Sequence, residues 1–263
     1  FIEIVRKTKR LIREGEIIQA VISQLFSVES KVDPLMVYRV LRILNPSPYM
    51  FFLKMNGECL LGSSPEMLVK KREGNIFTMP IAGTRPRGAD DLEDKKFERE
   101  LKSSVKERAE HLMLVDLGRN DLGRVCVEGS VGVSEFMFIE RYSHVMHLVS
   151  EVRGVAKRGV DNFAVLEACF PAGTVTGAPK VRACQIISDF EPTQRGPYAG
   201  CVGYFDFHDN MDTCITIRSL YYRRGVYYIQ AGAGIVFDSR PQKEYEETLN
   251  KARAQFEAIK ACG

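Results

Sequence analysis

Residues 201–231 of the chain read CVGYFDFHDNMDTCITIRSLYYRRGVYYIQA. This segment contains three runs rich in β-branched and aromatic residues, Cys201 to Phe207, Thr213 to Tyr222 and Val226 to Ala231. Runs of this kind, bounded by Asp, Asn and Gly, are typical of short strands. Because they follow one another with short turns and no helix between them, the segment predicts antiparallel pairing.

The rest of the pattern groups strands and helices in runs without strict alternation, which predicts an α+β fold with antiparallel sheets. Predicted strands are Ile17 to Val28, Tyr49 to Met55, Cys59 to Gly62, Met67 to Lys71, Val131 to Ile139 and His144 to Val152. Predicted helices are Ile2 to Ile12, one from Asp33-Pro34, Asp91 to Leu117, Asn162 to Cys169, one from Pro179 and Gln242 to Ala261. Loops are predicted at Pro80 to Ala89 and Phe170 to Ala178. No repeat or linker divides residues 1–263, so we expect one domain.

Composition narrows the class of protein. The chain has 263 residues, 45% hydrophobic and 27% charged, with a formal charge of +3, which is too small to indicate nucleic-acid binding. No apolar run approaches the roughly 18 residues of a membrane-spanning helix. The 7 cysteines include no C-x-x-C pair, so free thiols and a cytoplasmic location are expected.

Two pairs of glutamates are spaced for a common helix face, Glu107 with Glu110 and Glu244 with Glu247. Carboxylates without His or Cys suit a hard cation such as Mg²⁺, which takes one or two protein carboxylates and keeps several waters. A single Glu-x-x-Glu is more often a solvated helix face. Spacing alone therefore leaves both interpretations open.

Three glycine-containing segments are candidate ligand contacts. Residues 80–88 combine glycines with arginines that suit an acid. Residues 171–180 end in a helix start that offers N–H groups to an anion, but they lack the Gly-Lys-Ser/Thr of a nucleotide loop. Arg218 shares a predicted strand face with Cys214 and Thr216, near Gly232-Ala233-Gly234, and this placement suits it to hold a carboxylate.

His144 and His147 lie three residues apart in a predicted strand, which places them on opposite faces. No third ligand accompanies them, so the pattern does not favour zinc. Acid–base chemistry at one of them stays open.

Taken together, these segments resemble the chorismate-utilising enzymes over about residues 16–257. The motifs that carry the resemblance are Gly62-Ser63-Ser64-Pro65-Glu66, Pro80-Ile81-Ala82-Gly83-Thr84-Arg85-Pro86-Arg87, Glu110-His111-Leu112-Met113-Leu114-Val115-Asp116-Leu117, Arg119-Asn120-Asp121, Gly173-Thr174-Val175-Thr176-Gly177-Ala178-Pro179-Lys180 and Ile217-Arg218. The resemblance implies two facing antiparallel β-sheets with helices packed outside and the active site between them.

The resemblance also implies residue roles. Glu110 and Glu247 match ligands of Mg²⁺, which would bind the ring carboxylate of chorismate. Glu107 and Glu244 lie beside them as further or water-mediated ligands. Glu66 matches the general acid that protonates the departing 4-hydroxyl group.

The remaining implied roles concern the substrate. His147 matches a histidine tied to the later loss of pyruvate, and Thr174 lies near it. Arg218 would face the enolpyruvyl carboxylate. The substrate contacts implied in this way are Gly83, Thr84, Tyr198, Arg218, Gly232, Ala233 and Gly234.

Two positions distinguish branches of the family. Relatives that add water carry a lysine base where this chain has Gln19, and Gln cannot act as that base. Aminodeoxychorismate synthases commonly carry a nucleophilic lysine in place of Ala82. Residues 210–218 also look like the anthranilate synthase branch, whereas Leu25 departs from its usual arginine.

The expected activity is conversion of chorismate and ammonia to anthranilate and pyruvate, with ammonia supplied by a glutamine amidotransferase partner. The alternatives are an aminodeoxychorismate synthase, or a non-catalytic module that binds the amidotransferase. Because residue 1 is Phe, we expect the chain to begin partway through a longer protein. A chain without the N-terminal portion of the family is expected to bind tryptophan poorly.

Overall fold

The computed structural model describes residues 1–142 and 145–263, so His144 and any role predicted for it lie outside the described residues. The chain divides into two compact units. Unit 1 comprises Phe1–Glu66, Pro171–Val202 and Cys214–Gly263, and unit 2 comprises Met67–Phe170 and Gly203–Thr213. The assignment of the chain to one domain stays a prediction.

Unit 1 is built on a six-stranded antiparallel sheet. Its strands are β1 (Gln19–Glu29), β2 (Tyr49–Met55), β3 (Glu58–Ser64), β9 (Gly177–Ala178), β12 (Ser219–Arg223) and β13 (Val226–Ile235). Their order across the sheet is β2-β3-β12-β13-β1-β9. The longest pairing joins β1 to β13, from Ala20 opposite Ile235 to Glu29 opposite Val226.

Four helices accompany this sheet, α1 (Ile2–Arg13), α2 (Pro34–Leu44), α6 (Lys180–Phe190) and α7 (Pro241–Lys260). The side chains of Ile229 and Ala231 pack in a core with residues of α2 and α7, and Ala233 packs with residues of α1 and α6. Since side chains alternate along a strand, Gly232 and Gly234 lie on the face of β13 away from the helices. That face carries the candidate site of unit 1.

A second sheet has seven strands, most of them in unit 2. They are β4 (Met67–Arg72), β5 (Asn75–Thr78), β6 (Ile81–Pro86), β7 (Gly132–Arg141), β8 (Val145–Val155), β10 (Cys201–Phe205) and β11 (Met211–Ile215). The order is β10-β11-β4-β5-β8-β6, and β7 pairs with the other edge of β8. The helices of unit 2 are α3 (Asp91–Ser103), α4 (Val105–Gly123) and α5 (Asn162–Cys169).

Helix α4 is anchored to this sheet by a buried polar contact. His111 Nε2 lies 2.6 Å from Ser150 Oγ of β8, and both side chains are fully buried. Burial holds the pKa of His111 down at about 4, so the imidazole is neutral. The anchor fixes the helix that carries Glu107 and Glu110.

The predicted α+β class with antiparallel sheets is confirmed, but four predicted elements are wrong in detail. One is the predicted loop from Phe170 to Ala178, which contains the short strand β9. The predicted loop from Pro80 to Ala89 contains strand β6, which pairs with β8 and bulges between Ala82 and Thr84. At the bulge Gly83 has φ +64°, a conformation that glycine adopts without steric cost. The prolines and glycines of this segment are typical of a loop and therefore predicted one. The strand forms because β8 pairs with it, and local residue types do not reveal a partner so distant in sequence.

The predicted strand from Thr213 to Tyr222 is two strands, β11 and β12, in different sheets. The chain turns at Arg218, which has φ +53°, and Ile217 N–H donates back to Ile215 O at 2.9 Å. Arg218 therefore does not share a continuous strand face with Cys214 and Thr216. Its side chain is placed by the turn.

The predicted helix from Asp91 to Leu117 is interrupted at Ser104, which ends α3 and begins α4. Ser104 N–H donates to Glu100 O at 3.1 Å, while its hydroxyl accepts from Glu107 N–H at 3.3 Å. A serine that satisfies a first-turn N–H favours a helix start. The periodicity of charged residues continues across the break and conceals it.

Other sequence predictions hold. Asp33 caps α2 through its side chain. Cys59, Cys126, Cys184, Cys214 and Cys262 are free thiols. Among the described residues, none of the helices has the length and apolar character needed to cross a membrane.

Ser104→Ala is expected to lower the free energy of unfolding by about 1 kcal/mol, because it removes the N-cap of α4. Urea unfolding followed by circular dichroism measures the change. Ser103→Ala is the matched control, since the Ser103 hydroxyl donates only to Glu100 O in the last turn of α3. Equal losses in the two variants would contradict the capping role.

Candidate functional site

Glu66 lies two residues after the end of β3 and is the candidate proton donor of unit 1. Its side chain is buried, with 8% of the residue exposed, and its backbone carbonyl accepts from Ile215 N–H at 3.0 Å. Burial raises the pKa of Glu66 from its usual 4.5 to about 7, although Thr174, Arg218 and Lys251 favour the ionised form. A carboxyl with this pKa can donate a proton at neutral pH.

Thr174 lies in a short 3-10 turn, Gly173–Val175. The Thr174 hydroxyl favours the ionised form of Glu66, but Oγ1 is buried and makes no hydrogen bond of ordinary geometry with the described residues. A buried hydroxyl without such a partner is uncommon. It provides a polar group for a ligand beside the acid.

Arg218 brings positive charge to the same region. Burial lowers its pKa, which the nearby Tyr198, Glu66 and Glu247 oppose. A buried arginine stays protonated at neutral pH, so the Arg218 guanidinium remains charged. Its lowered pKa reflects the free-energy cost of removing that charge from water. A desolvated guanidinium can bind a carboxylate through two parallel hydrogen bonds.

Each glycine of β13 lies close to a polar side chain, Gly232 to Tyr198 and Gly234 to Gln19. Burial raises the pKa of Tyr198 to about 12, so its hydroxyl stays protonated and can donate. A Cβ atom at Gly232 would lie 2.8 Å from Tyr198 Oη, and one at Gly234 would lie 2.7 Å from Gln19 Nε2. Any side chain at Gly232 or Gly234 would therefore displace a polar group.

Ala233 differs from its neighbours. Its fully buried side chain belongs to the core on the helix side of the sheet, with Ile22, Ile186 and Ile235. Only its backbone lies between the two glycines. The prediction of a substrate contact at Ala233 stays untested.

Helix α7 presents Glu244 and Glu247 three residues apart, and it adds a residue that sequence reasoning missed. Lys251 Nζ lies 2.6 Å from Glu247 Oε1 and donates to Gly232 O at 2.9 Å. Burial lowers the pKa of Lys251, while Glu247 opposes the shift. The spacing of four residues from Glu247 was the available signal for Lys251.

In unit 2, His147 of β8 contacts the β6 bulge. His147 Nδ1 lies 3.2 Å from Gly83 O and 3.0 Å from Thr84 Oγ1. A carbonyl oxygen can only accept, so Nδ1 carries the proton in the tautomer that hydrogen-bonds to Gly83 O. In the neutral ring, the lone pair then lies on Nε2, which is the nitrogen suited to accept a proton.

Glu107 and Glu110 lie on α4, also in unit 2. A Cβ atom at Gly83 would come within 2.9 Å of Glu107 Oε2, so the bulge and this carboxylate are adjacent. Arg85 Nη1 lies 3.3 Å from Glu107 Oε1, and Lys106 Nζ lies 3.6 Å from Glu110 Oε1. The structure thus places Gly83, Thr84 and His147 together and brings Glu107 beside Gly83.

The predicted magnesium ligands are two glutamate pairs, one in each unit. Across residues 1–142 and 145–263, no three His, Cys, Asp or Glu side chains form a ready metal site. The donor chemistry of each pair fits Mg²⁺, which takes one or two protein carboxylates. The assignment of Glu110, Glu247, Glu107 and Glu244 as ligands stays a prediction.

Three further positions singled out from the sequence are also described. Gln19 Oε1 is buried and has no hydrogen-bond partner among the described residues. Ala82 pairs with Leu148 in the sheet of unit 2. Leu25 is 38% exposed on β1.

A family model described as chorismate binding enzyme matches residues 1–257. Anthranilate synthase component 1 of Aquifex aeolicus is 58% identical over 259 residues, covering 98% of this chain and 52% of the relative. The Bacillus subtilis protein of the same name is 52% identical, covering 98% of this chain and 50% of the relative. The chain spans about half the length of these curated relatives.

Solved structures agree with this grouping. Anthranilate synthase component I from Streptococcus pneumoniae has a TM-score of 0.91 at 44% identity, covering 97% of this chain and 57% of that one. The menaquinone-specific isochorismate synthase from Escherichia coli has a TM-score of 0.90 at 27% identity, covering 98% of this chain and 60% of that one.

The raised pKa of Glu66 predicts a pH-dependent contribution to stability. A carboxyl whose pKa is higher in the folded chain stabilises the fold fully below the pKa of the unfolded chain, and this contribution is lost as pH rises through about 7. Between about pH 5 and about pH 8, the wild type should lose roughly 2 kcal/mol more unfolding free energy than Glu66→Gln.

Urea unfolding of both proteins across this pH range measures the difference. Glu3→Gln is the control, because the Glu3 side chain is 69% exposed on α1. Parallel pH dependence of the wild type and Glu66→Gln would contradict the raised pKa.

Proposed function

Because the chain belongs to the chorismate binding enzyme family, we propose that it is the synthase component of an anthranilate synthase. The reaction converts chorismate and ammonia to anthranilate, pyruvate and water. The observation that carries the proposal is the buried Glu66 with a pKa of about 7 close to the cationic Arg218. A proton donor and a carboxylate-binding group are what removal of a hydroxyl from an anionic substrate requires.

The first proposed step is loss of the 4-hydroxyl group with addition of ammonia at C2 of chorismate. Glu66 gives its proton to the departing hydroxyl, which leaves as water, while the nitrogen lone pair forms the C2–N bond. Arg218 holds the enolpyruvyl carboxylate, and the protonated Tyr198 hydroxyl donates a hydrogen bond to substrate. Gln19 supports ammonia over water as nucleophile, since an amide cannot act as a base toward water.

The second proposed step is loss of pyruvate, which makes the ring aromatic. A base takes the C2 proton, the C–H electron pair forms the C2–C3 double bond, and the C3–O bond breaks. The departing enolpyruvate then takes up a proton at carbon and becomes pyruvate. His147 is the proposed participant, with its Nδ1 proton held by the Gly83 carbonyl so that Nε2 presents the lone pair. Thr84 Oγ1, 3.0 Å from Nδ1, helps to orient the ring.

Mg²⁺ is the proposed cofactor, with Glu110 and Glu247 as ligands and Glu107 and Glu244 as further contributors. When bound, it supplies positive charge to the ring carboxylate. In the structure Glu247 is neutralised by Lys251 at 2.6 Å. Lys251 itself is a proposed carboxylate contact, because its Nζ is tied to Gly232 O on the site face of β13.

The proposed partner is a glutamine amidotransferase that supplies ammonia. The name component 1 of the relatives supports an assembly of more than one component. The second candidate function is aminodeoxychorismate synthase, and Ala82 argues against it because alanine cannot act as an internal nucleophile. A non-catalytic module that binds the amidotransferase is the candidate from another class.

Product identification separates these functions. Incubation with chorismate, Mg²⁺ and ammonium is expected to yield fluorescent anthranilate and an equal amount of pyruvate, quantified by chromatography. Accumulation of aminodeoxychorismate would indicate the second function. Lack of turnover, with amidotransferase binding preserved, would indicate the non-catalytic module.

Glu110→Gln and Glu247→Gln are each expected to lower kcat/KM by roughly 100-fold or more, because neutral amides bind Mg²⁺ weakly. The Mg²⁺ concentration needed for half-maximal activity should rise in both variants. Lys70→Gln is the control on β4, where Lys70 pairs with Asp212 at 2.8 Å. An unchanged Mg²⁺ titration in either glutamate variant would contradict its assignment as a ligand.

A further inference from the structure

Glu191, at the end of α6, is a buried carboxylate outside the residues assigned above. Its side chain is 3% exposed and accepts four hydrogen bonds. Two come from Ser23, through N–H at 2.7 Å and the hydroxyl at 2.8 Å. The other two come from Arg195, through Nε at 2.9 Å and Nη2 at 2.7 Å. The carboxylate thus fixes one guanidinium in one plane.

The same guanidinium reaches two further backbone segments. Arg195 Nη1 donates to Val175 O at 2.7 Å, and Nη2 donates to Val21 O at 2.6 Å. Val175 belongs to the turn that carries Thr174, and Val21 belongs to β1. Four of the five guanidinium N–H groups are therefore used within unit 1, so Arg195 is not arranged as a substrate ligand.

Tyr198 also contacts Arg195. The guanidinium carbon lies 5.4 Å from the centroid of the Tyr198 ring, and Tyr198 N–H donates to Arg195 O at 3.1 Å. Both residues also line a pocket of about 220 Å³ in unit 1. Open space adjoins Tyr198, and the guanidinium beside its ring restricts the positions that the hydroxyl can take.

The buried ion pair of Glu191 and Arg195 is expected to add little to the free energy of unfolding, because the cost of desolvating both charges offsets their attraction. Replacement by packed apolar residues often costs nothing. The geometry of Arg195 instead suits the precise placement of neighbouring groups, which a planar guanidinium achieves and an ammonium does not.

We infer that Arg195, fixed by Glu191, is a positioning residue that aims the Tyr198 hydroxyl at the bound substrate. The inference rests on the proposed function, in which Tyr198 contacts chorismate. Arg195 acts through Tyr198 and touches no substrate itself.

The test is a double-mutant cycle on chorismate affinity, measured by calorimetry with Mg²⁺ and without ammonium so that no turnover occurs. Tyr198→Phe and Arg195→Lys are each expected to raise the Kd for chorismate by about 10-fold, as loss of an aimed hydrogen bond does. The double variant should bind no more weakly than the weaker single variant, because both changes remove the same contact.

Arg182→Lys is the matched control. Arg182 also pairs with a glutamate through two nitrogens, at 2.8 and 2.5 Å from Glu16 Oε2, but on an exposed surface of α6. The Kd of the Arg182→Lys variant for chorismate should stay within about twofold of the wild-type value. If Arg195→Lys does not fold, as judged by circular dichroism, Glu191→Gln takes its place in the cycle.

If the fold-increases in Kd of the two single variants multiply in the double variant, the inference is overturned, since Arg195 would then act independently of Tyr198. An unchanged Kd in Arg195→Lys would overturn it as well. An unchanged Kd in Tyr198→Phe, or no chorismate binding by the wild type, would overturn the substrate role of Tyr198 and with it the inference. The two failures are thus distinguished by the single variant Tyr198→Phe.

Discussion

The antiparallel pairing of β1 with β13 is the interaction on which the candidate site of unit 1 depends. Ten residue pairs hold the register, and they place Ser23 opposite Gly232 and Val21 opposite Gly234. A shift by one residue would turn every side chain of β13 to the other face of the sheet. The core prevents this shift, because Ile229 and Ala231 are buried among helix residues. Apolar packing on one face therefore fixes the polar groups on the other.

On that face, burial and nearby charges have opposite effects on the pKa of the acidic side chain. Burial raises the pKa of Glu66, and the nearby Arg218 and Lys251 lower it without cancelling the effect. Glu191 has a different environment, because four hydrogen bonds satisfy its carboxylate. Two buried glutamates in one unit therefore suit different tasks. Glu66 is suited to release a proton, whereas Glu191 is suited to hold Arg195 in place.

Sequence patterns located most elements where local chemistry is decisive. The strand Tyr49–Met55 and the helix Asn162–Cys169 have the predicted bounds, since each is delimited by strong start and stop residues. Sequence patterns gave wrong predictions where a partner distant in sequence determines the local structure. Strand β6 exists because β8 pairs with it, and the turn at Arg218 exists because β11 and β12 join different sheets. Lys251 escaped notice for the same reason, because its contact with Gly232 joins residues 19 positions apart.

The sequence by itself determined the antiparallel α+β class, the order of most elements and the motifs that mark the chorismate binding enzymes. These features depend on residue type and short-range spacing, which can be read without coordinates. Only the tertiary structure decided the environment of each candidate group, including the burial of Glu66, the contact of His147 Nδ1 with Gly83 O and the position of Arg195 over the Tyr198 ring. Desolvation, charge and ring contacts act through space between segments far apart in the chain, and residue order does not encode those distances directly.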